Sequence, residues 1–123
     1  MIESWVEALS SGDVKGAAGY FALPSVAENG NGPLTLRSRA DAVAFNTTLP
    51  CGAKLVRARP AGRFIAATFK LTERPGGDCG GGAGQLAATA FVIEGGKIAQ
   101  WRRIPVPSGG GGPAGGGDNG PIV

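Results

Sequence analysis

The chain has 123 residues, and 42% of them are hydrophobic, which suits one compact domain and is too short for two of ordinary size. It contains no histidine, so zinc sites built on imidazole and catalytic sites of the Ser-His or Cys-His kind are excluded. Twelve Lys and Arg residues against nine Asp and Glu residues give a net charge of only +3, and the aromatic residues mostly fall at core-facing positions, so we predict no nucleic-acid partner.

Three helices are predicted in the first half of the chain. The apolar residues of segment 2–10 recur at i, i+3, i+4 and i+7, which indicates an amphipathic helix. Asp13 can cap a second helix, which must end before Pro24. Residues 38–41 have the pattern of a capping box and predict a third helix that runs to about Thr48.

A hairpin is predicted after the third helix, because the apolar periodicity changes to two from Cys51 onward. Segments 54–59 and 63–73 alternate on either side of a Pro-Ala-Gly turn. We pair residue 59 with residue 64, which predicts that Val56 lies on the apolar face and Leu55 on the polar face.

A second hairpin follows a glycine-rich loop and consists of strands 85–94 and 97–104 around Gly95-Gly96. Residues 25–37, between the second and third helices, are predicted to be a short extended hairpin. The fold class is therefore α+β, with the helices packed on one concave face of a curved, mainly antiparallel sheet. An arrangement of this kind usually leaves an internal pocket at its open end.

Glycine and proline are concentrated near the end of the chain. Residues 108–121 hold eight of the 23 glycines, so we predict one domain at 1–106 and a disordered Gly/Pro-rich tail at 107–123. No apolar run approaches the roughly 18 residues of a membrane span, and no signal peptide is recognisable. We therefore expect a cytoplasmic protein with no membrane partner.

Cys51 and Cys79 are the two cysteines, which is too few for a structural zinc site. One precedes the long hairpin and the other follows it, so the hairpin could bring them together in a disulfide. Two unpaired thiols in a reducing cytosol are the alternative. The segment Asn46-Thr47-Thr48 fits the glycosylation sequon, but its position on a helix of an intracellular chain argues against modification.

Residues 6–22 (VEALSSGDVKGAAGYFA) resemble the opening of the nuclear transport factor 2 superfamily, which includes ketosteroid isomerases and polyketide cyclases. Residues 91–103 (FVIEGGKIAQWRR) resemble the last hairpin of that superfamily. The resemblance covers about residues 2–105 and implies a cone-shaped domain that forms a homodimer through its outer sheet face. It implies little about activity, because this scaffold hosts many chemistries.

The catalytic residues of the ketosteroid isomerases are not matched at the corresponding positions of this sequence. Counted from the Gly-Asp pair, the general base falls at Asn29, the hydrogen-bonding tyrosine at Trp5 and the protonated aspartate near Thr89. An amide cannot take a proton from carbon at a useful rate, and an indole cannot replace a phenol. Glu28 would be the nearby base if a bulge shifted the register by one residue.

We therefore expect a non-catalytic module that holds a small, largely apolar ligand without cofactor or metal. Its walls would be Trp5, Tyr20, Phe69 and Trp101, and its polar anchors would be Asn29 and Thr89. One alternative is an isomerase or cyclase that acts on a steroid- or polyketide-like carbonyl compound, with Glu28 as its base. Another is a dimerisation module with no ligand. A Glu28 that points into the cone would favour the enzyme, and a Glu28 that faces solvent would favour binding or assembly.

Overall fold

The computed structural model describes residues 1–107, which form three α-helices, one short 3₁₀ turn and six strands. In chain order the elements are α1 (Ile2–Ser10), α2 (Val14–Ala18), β1 (Phe21–Glu28), β2 (Pro33–Leu36), α3 (Arg39–Thr48), β3 (Gly52–Ala61), β4 (Phe64–Thr72), the 3₁₀ turn (Gly80–Gly82), β5 (Leu86–Glu94) and β6 (Lys97–Ile104). The prediction of a disordered tail lies, from Ser108 onward, outside the described residues.

The six strands form one curved, unclosed sheet in the order β2-β1-β6-β5-β4-β3, with the helices packed on its concave face. This confirms the predicted α+β fold class. Neighbouring strands are antiparallel except β1 and β6, which are parallel. That parallel pair joins the short hairpin β1–β2 to the four-stranded meander, a link between distant segments that local periodicity does not reveal.

The helices begin where the local signals predict, but the second helix, expected to include Phe21 and to stop just before Pro24, ends at Ala18, and Phe21 begins β1. The apolar stripe of α1, which consists of Ile2, Trp5, Val6 and Leu9, is buried. Asp13 caps α2, since its side chain accepts a 2.9 Å hydrogen bond from the backbone N–H of Gly16. Ser38 caps α3 by accepting a 3.1 Å hydrogen bond from the backbone N–H of Asp41. Within the described residues, no helix is both long and apolar enough to span a bilayer.

The predicted register of the β3–β4 hairpin is wrong. Arg59 pairs with Ala66, and the turn is the two-residue Gly62-Arg63. A β-bulge between Leu55 and Arg57 adds one residue to β3, which moves Leu55 to the concave face and leaves Val56 52% exposed. One extra residue exchanges the two faces of a strand because side chains alternate with a period of two.

The C-terminal end of α3 is held by a disulfide and a buried arginine. Cys51 and Cys79 form the disulfide, and both are buried. The guanidinium of Arg74, a residue only 6% exposed, donates a 2.9 Å hydrogen bond to the carbonyl of Leu49 and a 3.2 Å hydrogen bond to that of Thr47. Carbonyls at a helix C-terminus lack partners within the helix and carry partial negative charge, so a cation is favourable there.

Candidate functional site

Aromatic side chains fill the centre of the concave face. Three of the predicted pocket walls, Trp5, Phe69 and Trp101, are completely buried. The ring of Trp5 lies 6.3 Å from that of Phe69 and 6.3 Å from that of Trp101, both in edge-to-face contact. Trp5 therefore contacts both other rings, and these side chains belong to the packed core. Phe21, Phe45 and Phe91 complete the cluster.

A buried hydrogen bond crosses this cluster. The indole Nε1 of Trp5 donates to Oδ1 of Asn46 at 2.9 Å, and the amide Nδ2 of Asn46 donates to the carbonyl of Ala42 at 2.8 Å. Asn46 is 0% exposed, so an oligosaccharide has no access to it in the folded protein. The sequence contained a signal for this role, because Asn46 stands four residues after Ala42 on the buried face of α3.

The three remaining predicted ligand-binding residues lie at opposite ends of the sheet. Thr89 is buried and pairs with Arg103. Asn29 follows Glu28, whose partner is Arg102, so Asn29 lies level with Arg103 at that same end. Tyr20 is half-buried at the other end, where its carbonyl accepts a hydrogen bond from the backbone N–H of Ile98. The structure therefore brings Asn29 and Thr89 to one region and places Tyr20 apart from them.

Glu28 lies on the convex face of the sheet, away from the helices. Its partner Arg102 follows Trp101 on β6, and successive residues of a strand point to opposite faces. The guanidinium of Arg102 contacts Oε1 of Glu28 at 3.1 Å, and the two side chains are 32% and 36% exposed respectively. The only base suggested by the sequence is thus on the face opposite to the aromatic cluster.

A cleft of about 240 Å³ opens between α3 and β2, the edge strand next to β1. Its apolar lining consists of Leu34, Leu36, Ala44 and Phe45, and its polar lining consists of Thr35, Asp41 and Thr48. Leu34 is 53% exposed, whereas Leu36 and Phe45 are buried and form the floor. None of these residues was predicted to belong to a site. The signal available in the sequence was the spacing of two between Leu34 and Leu36 in a short extended segment just before the third helix.

The cleft adjoins the aromatic cluster through its floor. The ring of Phe45 lies 5.1 Å from that of Trp101, and Leu36 is the register partner of Ser25 on β1. Ser25 and Trp101 are both buried, yet the Ser25 Oγ and Trp101 Nε1 atoms have no hydrogen-bond partner in the described part of the chain. These two polar atoms thus belong to residues that adjoin Leu36 and Phe45, the apolar floor of the cleft.

A second groove, of about 390 Å³, lies between α1 and β3. It is larger but more polar, because Glu3, Glu7, Ser10 and Lys54 contribute to its lining. Glu3, Glu7 and Lys54 are exposed, so this groove offers a hydrated, charged surface. Apolar lining with a few polar groups is typical of small-molecule sites, and the cleft between α3 and β2 meets that description better. Among residues 1–107, no cluster of three or more His, Cys, Asp or Glu side chains is placed to bind a metal.

No protein-family model and no curated protein matches the sequence. Solved structures do match it. A nuclear transport factor 2-like protein of unknown function from Cytophaga hutchinsonii has a TM-score of 0.62 and 10% identity, over 86% of this chain and 87% of that one. A similar protein from Burkholderia xenovorans has a TM-score of 0.60 and 13% identity, over 89% of this chain and 84% of that one.

A third match is a hypothetical protein with a ketosteroid isomerase-like fold from Catenulispora acidiphila, solved in complex with trimethylamine. Its TM-score is 0.60 and its identity is 14%, over 87% of this chain and 85% of that one. At such identities the likeness concerns the fold alone. It confirms that this chain has the nuclear transport factor 2-like fold that its first helices and last hairpin resemble.

Proposed function

Starting from the nuclear transport factor 2-like fold, we propose that this protein is a non-catalytic module that holds a small, largely apolar ligand in the cleft between α3 and β2. The observation that carries the proposal is the apolar lining of this cleft over an aromatic floor. Its volume of about 240 Å³ lies below the range of drug-sized pockets, so the ligand is expected to be smaller than a typical drug. The trimethylamine complex of one structural neighbour supports a small-ligand role for a chain of this fold.

The position of the acidic groups supports binding over catalysis. Glu28 pairs with Arg102 on the convex face, and the predicted base position holds the amide Asn29. Asp41 lines the cleft, but its Oδ2 accepts a 2.9 Å hydrogen bond from the backbone N–H of Arg37 as part of the N-terminal cap of α3. An isomerase or cyclase that acted in this cleft would have to use Asp41 as its base. That alternative would be favoured if the protein turned over a carbonyl compound and Asp41→Asn abolished the turnover.

An NMR titration with a set of small apolar compounds tests the proposed function. Binding in the cleft is expected to shift the backbone amide signals of Leu34, Ala44 and Thr48. Ala44→Trp should abolish these shifts by filling the cleft, whereas Ala61→Trp, on the exposed end of β3, should preserve them. If no compound shifts the cleft amides, or if Ala44→Trp leaves the shifts intact, the proposed function is wrong.

We further propose a homodimer that uses the convex face, as the resemblance implies. This face carries no helix in the described part of the chain, and Leu86 is 44% exposed on it. Light scattering should show a dimer that Leu86→Arg weakens and Lys15→Arg does not. A monomer at high protein concentration would contradict the proposal. A cytoplasmic location stays a prediction, and the disulfide bears on it, because structural disulfides are rare in reducing compartments.

A further inference from the structure

Strand β3 ends the sheet on one side, so one of its two edges has no strand neighbour among residues 1–107. Helix α1 covers the start of that edge. The hydroxyl of Ser10 accepts a 2.9 Å hydrogen bond from the backbone N–H of Ala53 and donates a 3.0 Å hydrogen bond to the carbonyl of the same residue. From Leu55 to Ala61 the strand continues beyond this contact, and no described strand lies beside it.

The backbone groups on this free edge follow from the hydrogen bonds of β4. Leu71, the register partner of Ala53, exchanges its backbone hydrogen bonds with Gly84 and Gln85, on the side away from β3. Because these directions alternate with a period of two, residues 65, 67 and 69 also direct their backbone groups away from β3. Their partners Leu55, Ala58 and Pro60 therefore direct theirs outward. The free edge thus offers the N–H groups of residues 55 and 58 and the carbonyls of residues 55, 58 and 60.

Apolar side chains border the concave side of this edge. Leu55 pairs with a residue of the aromatic cluster, and Ala58 and Pro60 share its face. Ala58 and Pro60 are exposed. The groove between α1 and β3 continues this side, and Glu3 and Glu7 contribute carboxylates to its lining. An acidic side chain would be repelled on the concave side, whereas an apolar one would find apolar neighbours.

Cations border the convex side of the same edge. Lys54, Arg57 and Arg59 lie there, because their partners on β4 alternate with the concave residues, and Lys70 is the direct partner of Lys54. All four side chains are exposed, and none of them forms an ion pair within residues 1–107. Like charges directly opposite one another on a sheet are destabilising, so the stability of the fold does not explain the two paired lysines. The convex side is complementary to carboxylates.

We propose that the edge of β3 from Leu55 to Ala61 binds an extended segment of another protein in which acidic and apolar residues alternate. The segment pairs antiparallel with β3 and extends the sheet by one strand. Its acidic side chains meet Arg57 and Arg59 on the convex face, and its apolar side chains contact Ala58 and Pro60 on the concave face. Main-chain hydrogen bonds supply affinity in this mode of recognition, and the alternating side chains supply specificity.

The charge and the backbone of this edge decide between possible occupants. Charged residues and proline on an edge strand oppose pairing between copies of a protein. They do so here, because antiparallel pairing of two β3 edges would bring arginines against arginines. A nucleic acid would satisfy the arginines, but it has no backbone N–H groups for the outward carbonyls and no apolar side chains for the concave side. The site is distinct from the cleft between α3 and β2, so the inference does not depend on the proposed function.

Labelled peptides test the proposal by fluorescence anisotropy with the full chain. The probe Glu-Val-Glu-Val-Glu-Val should bind, and Glu-Glu-Glu-Val-Val-Val, of the same composition, should bind about tenfold more weakly because it cannot satisfy both faces. Antiparallel pairing places the valine N–H groups against β3 and the glutamate N–H groups away from it. N-methylation of the valines should therefore abolish binding, whereas N-methylation of the glutamates should preserve it.

Variants of the protein locate the site. Arg57→Glu should weaken binding of the alternating peptide about fivefold, because an attraction becomes a repulsion. Arg37→Glu makes the same change of charge at an exposed residue outside β3 and should leave binding unchanged. Ala58→Pro removes one outward N–H and should weaken binding, whereas Ala58→Ser keeps that N–H and should not. Pro60 already occupies an equivalent edge position, so the strand accommodates proline there.

Four outcomes would overturn the inference. The first is equal binding of the alternating and block peptides, or no binding of either. The second is binding that survives N-methylation of the valines, a result that requires no protein variant and so does not depend on how any variant folds. The third is displacement of the peptide by a single-stranded DNA of equal charge at the same concentration, which would indicate a general polyanion surface. The fourth is a dimer that Ala58→Pro dissociates, which would assign the edge to a second copy.

Discussion

The indole Nε1 of Trp5 donates a 2.9 Å hydrogen bond to Oδ1 of Asn46, and both side chains are completely buried. This bond connects α1 to α3, two helices that lie 41 residues apart in the sequence at this point. It satisfies an indole N–H that water cannot reach. Asn46 therefore has a structural role, although in the sequence alone it is the first residue of a glycosylation sequon.

Asn46→Ala should lower the free energy of unfolding by about 2–3 kcal/mol, because it leaves the N–H of Trp5 unpaired and opens a small cavity. Urea denaturation measures this change. The matched control is Thr47→Ala, whose side chain is exposed on the same helix and should change stability by less than about 1 kcal/mol. Equal effects of the two substitutions would show that the Trp5–Asn46 bond contributes nothing specific.

Trp101→Ala should lower stability by about 3–5 kcal/mol, because Trp101 is 0% exposed and contacts the rings of Trp5 and Phe45. Trp101→Phe should cost less, since a phenyl ring keeps part of the packing and removes the unpaired N–H. Chemical denaturation of both variants gives the comparison. A loss of only about 1–2 kcal/mol for Trp101→Ala would mean that the residue borders an open cavity.

Replacement of Cys51 and Cys79 by serine should lower stability by about 3–4 kcal/mol in the chain-entropy model, since the disulfide spans a sequence separation of 28 residues. Denaturation with and without dithiothreitol provides the check. The reductant should bring the wild-type protein to the stability of the double variant and should not affect that variant. A wild-type protein insensitive to reductant after full unfolding and refolding would contradict the disulfide.

Arg74→Ala should lower stability by about 2–4 kcal/mol, because it removes hydrogen bonds from a buried guanidinium to the carbonyls of Thr47, Leu49 and Pro75. Arg59→Ala is the control. Because Arg59 is exposed on β3, its replacement should change the free energy of unfolding by no more than about 0.5 kcal/mol. Thermal and urea unfolding should rank the two variants alike. If Arg74→Ala left the free energy of unfolding unchanged, the C-terminal end of α3 would be held by other contacts.

Glu28→Gln should leave ligand binding unchanged, because Glu28 lies on the face of the sheet opposite to the cleft. A double-mutant cycle with Arg102→Ala should give a coupling free energy below about 1 kcal/mol, as expected for a pair that is about one-third exposed. Titration calorimetry and urea denaturation supply the two readouts. A Glu28→Gln variant that loses a measured enzymatic turnover would instead restore the isomerase hypothesis.

The helices could be predicted because their signals are local. The stripe of α1 and the caps Asp13 and Ser38 depend only on residues within one or two turns. The face of Leu55 could not be predicted in the same way, because a single bulged residue changes it and nothing in the neighbouring residue types marks the bulge. The parallel pairing of β1 with β6 likewise depends on segments more than 70 residues apart.

The candidate site was harder to predict than the fold. The expectation of an open cone treated Trp5, Phe69 and Trp101 as walls around a space, whereas their edge-to-face contacts fill it. Whether aromatic rings line a cavity or pack together depends on side-chain volumes summed over several elements, which no single periodicity contains. The cleft beside Phe45 arises from how α3 lies against the short strand β2, and that too is a tertiary relationship.

The position of β6 has a consequence for how the protein is made. This strand lies between β1 and β5 in the sheet, yet it is the last of the strands in residues 1–107. During synthesis the first two strands and the next three have no shared partner until Ile104 has left the ribosome. Until then the nascent chain carries the pair β1–β2 and the meander β3–β4–β5 as separate units, and the edges of β1 and β5 that will meet β6 stay unpaired, a state that favours aggregation. Once complete, it should fold slowly, because closure of the sheet depends on contacts between its two ends.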